Sequence, residues 1–237
     1  MTPRSETRDR IVEEAARLFH ERGYSATGIS TILDRAGVNS GSLYHFFPGK
    51  EALLIGVLER HLAQLEPVIL RPAESTTEDP LERVFALLEG YRRGLLVSGF
   101  ARGCPVGNLS LELGDRVPRV RSLIDEYFSR WVTRVSSWLA QAEDRLPVGL
   151  DRNGVARLVL AVMEGALMQA RTARDLAPYD HAVAQLRAHF RLLEDYADRE
   201  IAEGLPAEEA AVGRPESESA RSVAEAEAAE PSGWRYW

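Results

Sequence analysis

Gly23, Gly37 and Pro48 cut the first fifty residues into three short segments, and that punctuation limits the start of the chain to a small set of folds. From Thr7 to Glu21 the apolar residues Ile11, Val12, Ala15, Leu18 and Phe19 recur at the one-face spacing of an amphipathic helix. Glu6 and Asp9 suit its positive end, and Gly23 marks its stop, because glycine takes the left-handed conformation that ends helices at little cost. A second helix is expected from Thr27, read as its N-cap, through Ile29, Ile32 and Leu33 to Ala36, where Gly37 closes it. Asn39 caps a third, with Leu43, Tyr44 and Phe46, which ends before Pro48 because the residue preceding a proline is pushed out of helical geometry. The connection Gly37-Val38-Asn39 is short and contains glycine, as a helix-turn-helix corner requires.

The remainder continues the helical pattern. A fourth helix starting near Pro48 carries Leu53, Leu54, Val57, Leu58, Leu62 and Leu65 up to Pro67, and residues 71–80 read as a loop of turn formers. Further helices are expected over 81–97, 106–113, 117–142, 151–174 and 179–202, and no alternating run competes with them, so the chain reads as all-α. From residue 203 the composition shifts to Ala, Glu, Ser, Pro and Gly, a segment expected to stay a disordered acidic tail because it buries too little apolar surface to offset chain entropy. Its terminal Trp-Arg-Tyr-Trp is a candidate docking motif. The domain expectation is 1–50 for the three-helix unit, 51–202 for a larger helical unit and 203–237 for the tail.

Composition narrows the function. The net charge is −7 over 237 residues, yet residues 1–50 hold seven Lys/Arg against six Asp/Glu, so the acidity lies outside the helix-turn-helix segment. The one cysteine, Cys104, rules out an internal disulfide and a multi-cysteine zinc site. No apolar run approaches the roughly 18 residues of a membrane span, and the N-terminus lacks a secretory signal pattern, so a cytoplasmic location is expected. His20, His45, His61, His181 and His189 are scattered, and no Ser-His-Asp set, phosphate loop or metal cluster appears, which argues against an enzyme and against any cofactor.

Several side chains of the first unit have chemistry suited to DNA. Thr27 would place a hydroxyl and free N–H groups at a helix start, where the dipole favours a phosphate. Gly41 would let the third helix approach a groove closely, and Ser40 and Ser42 can reach phosphates or base edges. Tyr44 offers a hydroxyl on an amphipathic ring. Lys50, the only lysine in the chain, stands where a cation opposes the dipole of helix four, a position that makes better sense beside a phosphate. Arg4, Arg8 and Arg10 form a basic lead-in.

The run from Thr27 to Leu53, and above all Ala36-Gly37-Val38-Asn39-Ser40-Gly41-Ser42-Leu43-Tyr44-His45-Phe46 followed by Lys50, resembles the DNA-binding segment of TetR-family transcriptional regulators over about residues 8–58. Leu33 departs from the small residue commonest there. Phe46 takes the place often held by a phosphate-contacting histidine, with His45 one residue earlier. The resemblance implies that a helix from Asn39 to Phe46 enters the major groove as one of a symmetric pair on a pseudopalindromic operator, with Thr27, Asn39, Ser40, Gly41, Ser42, Tyr44, His45 and Lys50 as candidate DNA-binding residues. It also implies a homodimer through the helices at 151–174 and 179–202.

The larger unit is where a small-molecule effector would bind. Tyr91, Phe100, Cys104, Asn108, Glu112, Tyr127, Phe128, Trp131, Met163 and Met168 are the candidate lining, with Asn108, Glu112 and Glu164 as its polar groups. The stretch Gly103-Cys104-Pro105-Val106-Gly107-Asn108-Leu109 is similar to one found in a subset of the family. The function expected is a repressor released from its operator by a small apolar or aromatic molecule. Two alternatives stand beside it: a thiol-based electrophile sensor, in which Arg102 lowers the pKa of Cys104 at a helix start, and a fold relative that acts as an interaction protein without DNA binding.

Overall fold

A computed structural model of the chain describes residues 3–113 and 117–203. The acidic segment beyond residue 203, with its terminal aromatic motif, lies outside the described residues, as does the side chain of Arg4. The described residues are helical with no strand among them. In order they form α1 (Pro3–Arg22), α2 (Ile29–Ala36), α3 (Ser40–Phe46), α4 (Lys50–Gln64), a π-helical stretch (Leu65–Leu70), α5 (Arg71–Thr76), α6 (Pro80–Val97), α7 (Pro105–Leu113), α8 (Pro118–Gln141), a short 3-10 turn (Glu143–Arg145), α9 (Arg152–Ala173) and α10 (Ala177–Glu203).

The three opening helices end where the sequence punctuates them. Gly37 adopts a left-handed conformation (φ 61°), and its N–H bonds back into α2. The Asn39 side chain accepts a hydrogen bond from the Ser42 N–H and caps α3. Leu43, fully buried, is the apolar anchor of α3, which packs against α1 and α2. Burying such a leucine contributes on the order of 1.5–3 kcal/mol, a large share of what holds a seven-residue helix that could not persist alone.

Two expectations fail between α4 and α6. The helix does not stop at Pro67, and residues 71–76 are α5 rather than loop. A proline inside an α-helix loses one hydrogen bond and clashes with the preceding turn; the wider π-helical turns at Leu65–Leu70 accommodate it. Pro72 then sits in the first turn of α5, where it is tolerated. Glu74 on α5 accepts from the Trp138 indole (2.8 Å) and from Arg134 (2.7 Å) on α8. These bonds, with buried Ala73, tie α5 to the rest of the bundle. The tail expectation also shifts, since Glu203 belongs to α10.

One hydrophobic core runs from Ile11 on α1 to Phe190 on α10. Its centre is α8, which packs against α4, α6, α7 and α9 and buries Trp131 and Trp138 completely. α1 touches α4 and α7, so the opening helices share packing with the rest of the chain rather than hanging from a linker.

Candidate nucleic-acid interface and internal cavities

α3 is displayed outward. Tyr44 is 55% exposed, and Ser40, Gly41 and His45 are also exposed, while Leu43 points into the core. The Asn39 side-chain oxygen is occupied by the Ser42 N–H (2.8 Å) and hydroxyl (3.1 Å). Asn39 and Ser42 are therefore joined in the helix cap, and the polar face left to a partner is Ser40, Tyr44 and His45. Gly41 has a local reason as well: a Cβ there would lie 3.3 Å from the Asn39 Oδ1.

Two of the expected contacts, those of Thr27 and Glu112, are corrected by geometry, and a third, Lys50, is tethered within the protein. Thr27 is 1% exposed and does not cap α2, whose N-cap is Gly28. Its hydroxyl donates to Gly23 O (2.7 Å) and Leu18 O (3.3 Å), satisfying carbonyls at the end of α1, so it is not available to a phosphate. Lys50 opens α4, with Gly49 rather than Pro48 before it, but its ammonium donates to Tyr24 O at 2.6 Å and lies 4.2 Å from the centre of the Tyr24 ring. Glu112 is not in a cavity. Its carboxylate accepts from the Tyr24 N–H (2.8 Å) and the Ser25 N–H (2.6 Å).

These contacts form a joint between α1 and the α6–α7 region. Partial burial pushes the Glu112 carboxyl up, but the Ser25 side chain and the Ser25 and Tyr24 N–H groups hold it below the usual carboxylate range. His20 Nε2 donates to Gly103 O at 2.8 Å, and burial keeps that imidazole below its usual pKa, in the neutral form. Arg102 bonds Glu21 at 2.5 Å. The connection after α6 passes through Gly99 and Phe100, both left-handed (φ 58° and 63°). For phenylalanine that conformation costs on the order of 1 kcal/mol or more and needs surrounding contacts to persist.

Two cavities flank this connection. One, of about 860 Å³, is lined by His20, Val68, Ala86, Gly90, Tyr91, Gly94 and Val97, among others. The other, of about 780 Å³, is lined by Phe100, Cys104, Gly107, Asn108, Phe128, Glu164, Met168 and Arg171. Both touch Glu21, Ala101, Gly103 and Leu167. Of the expected lining, Tyr91 faces the first cavity, and Phe100, Cys104, Asn108, Phe128 and Met168 face the second. Trp131 and Met163 are fully buried and Tyr127 nearly so, and none lines either cavity; large apolar side chains at the centre of a bundle fill it before they line a void. Sequence reasoning missed His20, Arg171 and the Gly90–Gly94 pair. The glycines' spacing of four was the usable signal, because it leaves a side-chain-free strip on one helix face, and a Cβ at either would meet nothing within 4 Å.

Cys104 is 2% exposed, and its sulfur accepts the Gly107 N–H (3.3 Å) at the start of α7. Burial and the neighbouring Glu164 carboxylate push its thiol well up, and Arg102 points instead to Glu21. The thiolate that the sensor alternative requires is thus absent, and Cys104 is a buried thiol at a helix start.

Residues 11–57 match the family model described as bacterial regulatory proteins, tetR family, and residues 80–186 match a tetracyclin repressor-like C-terminal domain. An uncharacterized HTH-type transcriptional regulator of Mycobacterium tuberculosis is 36% identical over 186 residues, covering 76% of this chain and 92% of the relative. The HTH-type transcriptional repressor DhaR of a Mycobacterium species is 27% identical, over 75% of this chain and 88% of that protein. Among solved structures, the reduced form of Escherichia coli NemR superposes with a TM-score of 0.68 at 26% identity, over 77% of this chain and 96% of the other. A regulator from Chloroflexus aurantiacus gives 0.71 at 26% identity, over 81% and 97%.

Proposed function

The chain belongs to the TetR family of transcriptional regulators, and from that premise we propose that it is a repressor which leaves its operator when a small apolar or aromatic molecule enters the helical part beyond α3. Regulators of this family bind operator DNA and act as dimers with small-molecule effectors; they are not enzymes. Residues 1–50 are the DNA-reading part and 51–202 the effector and dimer part.

The observation that carries this reading is the outward face of α3. Ser40, Tyr44 and His45 are exposed together on a helix whose other side is anchored by buried Leu43. Serine and tyrosine hydroxyls and the imidazole can donate to phosphates and base edges, and Gly41 keeps the helix slim at the groove. Lys50 and Thr27 support this face from behind. Arg8 and Arg10, both exposed on α1, supply positive charge to the backbone. The second subunit docks on the outer face of α9 and α10, where Leu158 is exposed on α9, Leu192 and Tyr196 are exposed one turn apart on α10, and Gly165 leaves open space. Apolar side chains gathered on one surface mark an interface more often than a free face.

An effector acts through the joint. Both cavities border residues 101–103, whose partners on α1 are His20 and Glu21. A ligand that favours a different course of this connection tilts α1, and with it the spacing of the two α3 helices, so DNA affinity falls by linkage. Moving occupancy from 99:1 to 1:99 takes a differential affinity of about 5.5 kcal/mol. Selection of tight binders from random duplexes tests the reading: an enriched pseudopalindrome with half-sites set by twofold symmetry supports it, and the absence of any enriched sequence overturns it.

A further inference from the structure

α6 turns one face to the first cavity. Ala86, Gly90, Gly94 and Val97 all line it and follow one another at steps of three or four residues, so they stand in a row along that face. At 1.5 Å per residue the row is roughly 16 Å long. The two glycines at its middle leave a groove, since a Cβ at either would meet nothing within 4 Å. Val68, Pro72 and Thr76 line the same cavity at steps of four, from the π-helical stretch and from α5, which packs on α6. Ala73, Leu87 and Leu167 are buried at its floor, while Val68 and Val97 are exposed at its rim. The result is a trough with apolar walls, suited to an extended chain.

The polar side chains of this lining are already engaged, with one exception. His20 donates to Gly103 O, Glu21 accepts from Arg17 and Arg102, Thr76 donates to Pro72 O, and Ser98 donates to Leu95 O. The Tyr91 hydroxyl is shut off from solvent beside Trp131. Arg93 is the exception. It lines the cavity between Gly90 and Gly94, is exposed, and has no partner among the described residues. Glu21, the one acid of the lining, is matched by two arginines, so the free charge at the trough is a single positive one at its rim.

We propose that this cavity receives the effector and that the effector is an unbranched amphipathic carboxylate, its chain laid along Gly90 and Gly94 and its carboxylate on Arg93. The proposal rests on the effector-responsive reading above and narrows it to one cavity and one ligand class. A guanidinium presents a planar fork that matches a carboxylate, and removing alkyl surface from water drives the chain into the trough. The charge itself stays at the rim, where it keeps contact with water and avoids the cost of burial. An exposed arginine alone holds an anion weakly; a chain seated in the trough keeps the carboxylate beside it. His20 and Gly103, which tie α1 to the connection before α7, border the same cavity, so an occupied trough bears directly on the joint.

Decanoate, decanol and decylammonium share a chain and differ in charge, and acetate carries the charge without the chain. Isothermal titration calorimetry on the full chain, with each probe kept below its micelle-forming concentration, is expected to show one decanoate site per chain, at least tenfold tighter than for the other three. Arg93→Gln should weaken decanoate about tenfold and leave decanol unchanged. Gly90→Leu puts into the trough a side chain that a helix favours over glycine, so the fold persists, and it should weaken decanoate and decanol alike about fivefold or more. Decanol or decylammonium binding as tightly as decanoate, decanoate binding left unchanged by Arg93→Gln or by Gly90→Leu, or no saturable binding overturns the proposal. DNA binding followed by fluorescence anisotropy in the same buffer is the separate readout, and decanoate should lower it in the parent at concentrations that leave Arg93→Gln bound. Specific DNA binding that decanoate does not change removes this inference and keeps the regulator. The expected ligand pattern in a chain that selects no operator overturns the regulator reading instead and leaves the carboxylate site.

Discussion

The opening helices and the centre of the helical bundle treat their polar groups in opposite ways. Around α3, Thr27, Asn39, Lys50 and Glu112 all have protein partners between 2.6 and 2.8 Å, while Ser40, Tyr44 and His45 face outward. Around Trp131, the Tyr91 hydroxyl, the Trp131 Nε1 and the Glu164 Oε1 are shut off from solvent without a well-formed hydrogen bond. A surface that must read a rigid duplex gains from having its scaffold satisfied in advance, because hydrogen bonds made within the protein fix orientation before DNA arrives. The number of polar residues in a region therefore says less than whether their partners are already present.

The largest expected effect that could break this comparison is at Leu43. Replacing it by alanine removes the one fully buried side chain of α3 and is expected to cost about 2–5 kcal/mol, with DNA binding lost in parallel; urea denaturation and anisotropy measured together check it. Next comes Thr27→Val, which keeps the shape but leaves the Gly23 and Leu18 carbonyls without their donor. Stability should fall by about 1–3 kcal/mol, while DNA affinity per folded molecule stays constant. A selective loss of DNA affinity would return Thr27 to the interface. Smaller still is Asn39→Ala, which removes the α3 cap for about 1 kcal/mol and should show as faster amide exchange at Ser42 and Leu43.

The pH dependence separates the regions again. His61 is half-buried near His20 and Arg60, and its pKa falls from 6.5 to about 4, with loss of solvation the main cause; His20 shifts the same way. A histidine whose folded pKa is depressed contributes stability that is complete above its unfolded value and is lost as pH falls toward the folded one. The packing of α1 on α4 should therefore weaken between pH 6.5 and about 4, and His61→Gln should flatten that slope in thermal melts taken across the range. An unchanged slope would place the acid sensitivity elsewhere.

Local chemistry was legible in the sequence, and long-range chemistry was not. Gly37, Asn39 and Gly23 set their helix ends as read, because caps and left-handed turns depend on residues within one turn of each other. The partners of Lys50 and Glu112 lie 26 and 87 or 88 residues away, so neither the Tyr24 carbonyl that tethers the lysine nor the N–H groups that hold the carboxylate could be read locally. α5 was hidden for the same reason: Pro72, Ser75 and Thr76 read as turn formers beside the helix-favouring Arg71, Ala73 and Glu74, and its packing on α6 and bonds to α8 come from far along the chain. In the bundle, aromatic and methionine side chains marked the right region, but apolar character alone could not separate Trp131 and Met163, which fill the core, from Phe100 and Phe128, which line a cavity.

The exposed face of α3 is the claim on which the regulator reading stands, and Tyr44→Ala with His45→Ala tests it most directly. Anisotropy titrations on a duplex recovered by selection should show the double variant binding at least tenfold more weakly than the parent, a loss of about 1.4 kcal/mol or more, with the melting temperature unchanged because both side chains are exposed. Equal affinity in a fully folded variant would mean that α3 does not touch the DNA.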